Sequence, residues 1–309
     1  VALPAFAAGP SLDGPTFSVP GIAVVWKAPT NSIPAKLWVY KVVPQDFSPT
    51  AISNLMALGP FSSNDRTHIE GQPLFKDKRL MYFANGERTR YLGIFPPFGW
   101  SYFKDERAIG GKGDAKGLPG EDEAADLALR YLLKLGFDRS ELATKDGSSD
   151  LQVYRVAQDR RRLDKTKQEH VSEVILRGVS FVRRVDGVSL TGRGSDGGFS
   201  ISFGNEGKVA SLELVWRKLE KHQLKNVSPT NEMIERIKQG RAKVHPLNTV
   251  DWRNAKSLTV EKVVPFYLGA DGETKQEFMY PFASIEGTIQ FEDGRNVGIA
   301  LKCPILADK

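Results

Sequence analysis

VSEVILRGVS FVRRVDGVSL TGRGSDGGFS ISFGNEGKVA SLELVWRKLE K, residues 171–221, decides the fold class. Val174, Leu176, Val179, Phe181 and Val185 lead into the turn-forming pair Asp186-Gly187, and a second turn is expected over Arg193–Gly198. Phe199-Ser200-Ile201-Ser202-Phe203 then alternates apolar and polar residues. Asn205-Glu206-Gly207-Lys208 turns the chain again, and Val209, Leu212, Leu214 and Trp216 close the unit. Period-two alternation bounded by Asp-Gly, Gly-Gly and Asn-x-Gly predicts half-buried antiparallel strands.

Helical patterns flank this meander. In Glu121–Leu135 the residues Ala124, Leu127, Ala128, Tyr131, Leu132 and Leu135 fall on one stripe. Glu121, Asp122 and Glu123 sit where the helix dipole favours anions, and Gly136 stops the helix. A short helix is expected from Pro49 to Leu58 with Ser48 as N-cap, and another from Ser228 and Pro229 to about Gln239. Strands are expected at 22–26, 37–43, 80–83, 90–95, 151–156, 258–268, 283–291 and 297–305. Asp271-Gly272 and Asp293-Gly294 are the turns between the last three. Ser48-Pro49-Thr50 recurs as Ser228-Pro229-Thr230, and Lys41-Val42-Val43-Pro44 as Lys262-Val263-Val264-Pro265. Echoes this short are what chance produces. The reading is an α+β protein of curved antiparallel β-sheets with helices packed on one face. Two domains are expected: 1–110 with a proline-rich arm, and 121–309, joined by the glycine-rich linker 111–120.

Composition narrows function by exclusion. The 309 residues carry 43 basic and 37 acidic side chains, a mild excess of +6 spread along the chain. A nucleic-acid footprint needs clustering on one face. One cysteine, Cys303, rules out an internal disulfide, and no apolar run approaches the ~18–20 residues that span a bilayer. Ala5-Phe6-Ala7 matches an Ala-x-Ala cleavage site at the end of an apolar leader, so a periplasmic or secreted location is expected.

Chemical motifs are sparse. His68, His170, His222 and His245 have no metal-ligand spacing, and no G-x-S-x-G elbow is present. Gly192-x-Gly194-x-x-Gly197 matches a dinucleotide fingerprint, but a strand follows it where a helix is required. Asp146-Gly147-Ser148-Ser149-Asp150 lacks the ligand set of a calcium loop. No catalytic residue, metal or cofactor is assigned.

Two features remain as interaction candidates. Phe95, Phe98, Trp100 and Tyr102 lie in a proline-broken aromatic segment, which either plugs the core or faces a partner. Arg160, Arg161 and Arg162, with Arg183 and Arg184 on the meander, form the strongest charge feature. They read as a solvated loop with strand-edge charges, or as a site for an acidic partner, an anionic surface or a small anion. Aromatic interleaving that would stack bases is absent around them, so no nucleic-acid partner is expected.

Val179-Ser180-Phe181-Val182-Arg183-Arg184-Val185-Asp186-Gly187-Val188, followed by Phe199–Phe203, Gly207-Lys208-Val209, Trp216 and Tyr280-Pro281-Phe282, resembles the YycH/YycI and PepSY-like extracytoplasmic proteins across 121–305. Ser189 stands where that group carries proline, Pro265 is an extra proline, and no apolar run in these residues matches that group's transmembrane anchor. The resemblance implies a curved-sheet α+β domain outside the cytoplasmic membrane that binds proteins and performs no catalysis. The expected function is therefore a non-catalytic exported protein acting on an unidentified protein or envelope component, with at most peripheral membrane contact. The alternative is an envelope hydrolase acting on carbohydrate or peptide, with carboxylates converging near the 111–120 boundary.

Overall fold

The computed structural model describes residues 12, 14–29, 31–66, 80–109, 115–145, 148–164, 169–191, 198–245, 251–270 and 275–307; side chains of Ser63, 159–164, Glu169 and Val171 are excepted. Expectations for residues 5–7, 111–114, 146–147, 193–197 and 271–272 lie outside the described residues. So do those for His68 and for the side chains of Arg160, Arg161 and Arg162.

In chain order the elements are β1 (Ala23–Trp26), β2 (Lys36–Val43), α1 (Pro49–Ala57), β3 (Met81–Ala84), β4 (Arg90–Phe95), β5 (Trp100–Asp105) and α2 (Glu121–Lys134). Next come β6 (Val153–Asp164), β7 (Glu169–Val182), β8 (Arg184–Val185), β9 (Val188–Thr191), β10 (Gly198–Phe203), β11 (Val209–Val215) and β12 (Lys218–Asn226). The chain closes with α3 (Thr230–Lys238), β13 (Lys243–Val244), β14 (Ala255–Leu268), β15 (Phe278–Met279), β16 (Pro281–Phe291) and β17 (Asn296–Pro304). The class is α+β, with strand predominating. No helix among the described residues is long and apolar enough to cross a membrane.

Two compact units form. Unit 1 comprises 1–42, 219–269 and 276–309; unit 2 comprises 43–218 and 270–275. The stretch 111–120, expected to separate domains, falls inside unit 2. Ala115 N–H donates to Val174 O at 3.0 Å, and Lys116 N–H donates to Asn205 Oδ1 at 2.9 Å. Beyond it, β5 pairs with β11 in one ladder, Tyr102 opposite Glu213. The described part of that stretch is thus tied to β7 and to the turn before β11, and the strands on its two sides share one ladder.

Unit 2 is built on one antiparallel sheet of order β3-β4-β5-β11-β10-β7-β6. Alternate residues point to opposite faces. One face carries Leu92, Ile94, Phe103, Leu212, Leu214, Phe199, Ile201 and Phe203, which share a buried cluster with Ala51 and Leu55 of α1 and Ala124, Ala128 and Leu132 of α2. The stripe predicted for α2 is the face it buries. Its first-turn acids do more than complement the dipole: Glu121 pairs with Arg177 of β7 at 3.0 Å and Asp122 with Arg155 of β6 at 2.9 Å. Ser48 caps α1, its Oγ accepting from Ala51 N–H at 3.1 Å. Asp186 and Gly187 both take positive φ, 48° and 80°, the conformation a two-residue hairpin needs.

The meander differs from a simple succession of neighbours. β7 pairs with β10, Phe181 opposite Phe199, so β8 and β9 form an excursion between them. The arginine run, read as following a strand that ends at Val156, lies instead on β6, with Arg160 opposite Glu173 and Arg162 opposite Val171.

Unit 1 centres on the antiparallel ladders β14-β16-β17, with Leu258 opposite Ile289 and Ile285 opposite Leu301. β13 pairs with β17, and β1 adds in parallel to β14. A three-stranded sheet of order β12-β2-β15 completes it. Tyr267 stacks edge-on against Tyr40 at 5.2 Å and donates its hydroxyl to Trp38 O at 3.0 Å. Arg236 of α3 is buried, its guanidinium donating to Pro304 O at 2.9 Å and Leu306 O at 2.7 Å. These bonds pin the helix to the end of β17.

Candidate functional site

The face of the unit 2 sheet opposite its apolar cluster is chemically distinctive. Register places Tyr82, Gly93, Tyr102, Glu213, Ser200, Ser180 and Tyr154 opposite one another in a single row across all seven strands. At about 4.8 Å per strand the row runs roughly 29 Å. Its centre is hydroxyl-rich, and Ser180 Oγ donates to Ser200 Oγ at 2.9 Å. Tyr154 at the far end is 49 % exposed, and Val156 beside it 58 %.

The other end is an aromatic panel. Phe95 stacks on Trp100 at 4.6 Å and on Tyr102 at 5.8 Å, and Trp100 meets Tyr102 at 4.7 Å. Tyr91 contacts Tyr102 edge-on at 5.8 Å and stacks with Tyr82 at 6.4 Å. Gly93 makes this possible. A Cβ there would stand 2.4 Å from Phe95 Cε2 and 2.7 Å from Tyr102 Cε1, so the two rings occupy the space a side chain would need. Burial raises the Tyr82 hydroxyl above its ordinary pKa, Tyr91 adds to the effect, and a hydrogen bond with Tyr102 opposes it. The Trp100 indole Nε1–H is buried with no hydrogen-bond partner among the described residues. A buried donor without an acceptor costs about 1–3 kcal/mol.

The aromatic segment therefore divides. Phe103 belongs to the core, while Phe95, Phe98, Trp100 and Tyr102 lie outside that cluster. Phe95 is 3 % exposed beneath its neighbours, and Phe98, Trp100 and Tyr102 are half-buried. The segment thus serves both faces of the sheet, Phe103 on the core side and Phe95, Trp100 and Tyr102 on the other. Its proline-containing turn, Pro96–Phe98, ends in Gly99 at φ 59° and feeds directly into β5.

The arginines do not converge. Arg183 is buried, with Nε donating to Glu141 Oε2 at 2.7 Å, Nη1 to Arg217 O at 2.6 Å, and its guanidinium 4.8 Å from the Trp216 ring centroid. Arg184 braces its hairpin, donating to Gly187 O at 2.8 Å and to Thr144 Oγ1 at 3.1 Å. Val153 of β6 lies opposite Phe181, so Arg160 stands seven residues further along the ladder. That is roughly 23 Å from the Arg183 end of β7. One small anion cannot span that gap.

A cavity of about 510 Å³ on the core side of unit 2 is lined by Arg90, Asp105, Tyr131, Lys134 and Lys208 among others. Asp105 is the only carboxylate among its described lining residues, and Arg90 Nε donates to it at 2.8 Å. Among the described residues no group of three or more His, Cys, Asp or Glu gathers to hold a metal ion. Tyr82, Tyr91, Gly93 and Glu213 were not legible as site residues. They come from three strands, β3, β4 and β11, and only the register unites them.

No protein-family model matches the chain. No curated protein matches it. The chain is similar to the crystal structure of an uncharacterized protein from Eubacterium rectale ATCC 33656, with 9 % identity over 91 % of this chain and 86 % of that one, at a TM-score of 0.47. That likeness carries no argument about function.

Proposed function

We propose that the chain is a non-catalytic, exported binding protein that docks a protein partner on the outer face of the unit 2 sheet. The observation that carries the reading is the aromatic panel around Gly93, off the core and continuous with a polar row. Tyr and Trp are enriched at protein interfaces because they bury large area and still present a hydrogen-bonding tip. The hydroxyls of Ser180 and Ser200 and the carboxylate of Glu213 supply a polar rim.

In this reading both α1 and α2 cover the opposite face, so the outer face is left to the partner. The resemblance to YycH/YycI and PepSY-like regulators agrees with a binding role outside the cytoplasmic membrane. Hydrolysis fits less well. A glycosidase or protease of the acid–base type needs two carboxylates in one cleft, and in the unit 2 cavity Arg90 occupies the one available.

Site-specific photo-crosslinking in living cells that express the full chain tests the proposal. A benzophenone side chain replacing Tyr91 is expected to give one discrete protein adduct, absent when it replaces exposed Leu133 of α2. Adducts of equal intensity from both positions, or none from Tyr91, would refute it.

A further inference from the structure

The two edges of the unit 2 sheet are unequal. β3 is four residues long, and Phe83 within it is already bridged on its outer side by Arg66. β6 runs for twelve residues and pairs with β7 alone. No other backbone hydrogen bond involves 153–164 among the described residues. An unpaired edge is a template for another strand, and proteins guard such edges with proline, bulges, cover or charge. β6 contains no proline, and the one break in its register skips Ile175 of β7. Cover is missing too. Tyr154, Arg155, Val156, Ala157 and Gln158 are all exposed, although successive residues lie on opposite faces.

Only charge remains as a guard, and its pattern fits a second copy of the same strand. Antiparallel pairing of β6 with β6 requires a two-fold axis perpendicular to the joined sheet. Such an axis keeps every residue on its own face, so residues opposite each other differ by an even number of positions. The axis therefore passes through a residue. At Gln158 it would set Arg155 opposite the partner's Arg161, and at Asp159, Arg160 or Arg161 it would set that charge opposite itself. At Val156 it would bring no opposite charges together. At Ala157 no like charges meet. Arg155 falls opposite the partner's Asp159, Asp159 opposite the partner's Arg155, and Tyr154 opposite the partner's Arg160.

We propose that β6 is a self-association edge, on which two copies of the chain pair antiparallel about Ala157 from Val153 to Arg161. The backbone groups of the open edge supply the ladder, and the paired charges fix its register. Symmetry makes each charge pair occur twice. Tyr154 and Val156, exposed in the single chain, gain cross-strand neighbours. The two seven-stranded sheets then share one outer surface, with an aromatic panel toward each far end. The pairing does not depend on what those panels bind.

Sedimentation equilibrium of the full chain tests the pairing and is expected to show a reversible dimer. Arg155→Asp and Asp159→Arg each turn both charge pairs into like-charge pairs, and each is expected to weaken the dimer about tenfold. The double variant exchanges the charges and is expected to restore it. Arg155 also pairs with Asp122 of its own chain. That pair is lost in Arg155→Asp and in the double variant alike, so rescue reports the contact between copies. Asp159→Arg leaves it intact. Ala157→Cys is expected to form a disulfide between copies on mild oxidation, since residues facing across an antiparallel pair have Cα atoms about 4.5–5.5 Å apart. Cys303 is fully buried, and Leu133→Cys on exposed α2 surface is the control. A monomer at up to about 100 µM, a dimer indifferent to both charge reversals, a double variant no tighter than the single ones, or equal cross-linking from both cysteines would overturn the proposal.

Discussion

Arg183 shows how far a residue's meaning depends on its neighbours. From the sequence it is one of two adjacent arginines beside a turn, indistinguishable from a surface charge. In the structure it is 6 % exposed and joins Glu141, the Arg217 carbonyl and the Trp216 ring. Glu141 and the Trp216-Arg217 pair lie more than thirty positions to either side of Arg183, so the sequence offered no signal for the cluster. Replacing it by Ala strands the partly exposed Glu141 carboxylate and a buried carbonyl and removes the cation–π contact. The expected cost is about 2–4 kcal/mol. Denaturant unfolding measures it; a loss within about 0.5 kcal/mol, typical of a surface change, would show that Arg183 is not a tie within unit 2. Gly93 is the opposite case. Nothing in the sequence marks it within the expected strand 90–95, but it is where the rings of Phe95 and Tyr102 lie.

At the scale of elements, local chemistry was the legible part. The α2 stripe, the Ser48 cap and the Asp186-Gly187 turn each depend on residues within one turn of one another, and each formed as expected. β12 was missed because its residues, Lys218 to Asn226, are charged or exposed along nearly the whole strand and show no alternation. β5 was obscured by Pro96 and Pro97, which sit in the turn before it. The candidate face was illegible for the same reason that registers are. Pairing of β5 with β11 joins residues more than a hundred positions apart, and no local pattern encodes it. Cys303 tests the seating of β17 between β13 and β16. It is fully buried, and burial pushes its thiol up to about 11. Alkylation by iodoacetamide at pH 8 is expected to be slow in the native state and fast in denaturant. The raised pKa means its stabilising contribution is present below the unfolded thiol value near 9 and falls as pH climbs from there toward 11. Prompt native-state labelling at pH 8 would mean that β17 opens readily.

At the scale of the whole molecule, the sheet face of unit 2 with its aromatic end around Gly93 is the surface proposed to dock the partner. The most direct test changes its shape without removing any of its aromatic residues. Gly93→Ala places a methyl group where the rings of Phe95 and Tyr102 lie, while Leu92 and Ile94 keep their places in the core. The measurement is the yield of the photo-crosslinked protein adduct from position 91 in Gly93→Ala against the unchanged chain, at matched expression and with melting temperatures recorded. The account predicts about a tenfold drop in yield, the loss expected when an aromatic anchor is displaced, with the chain still folded. An undiminished yield from a folded Gly93→Ala chain would contradict it.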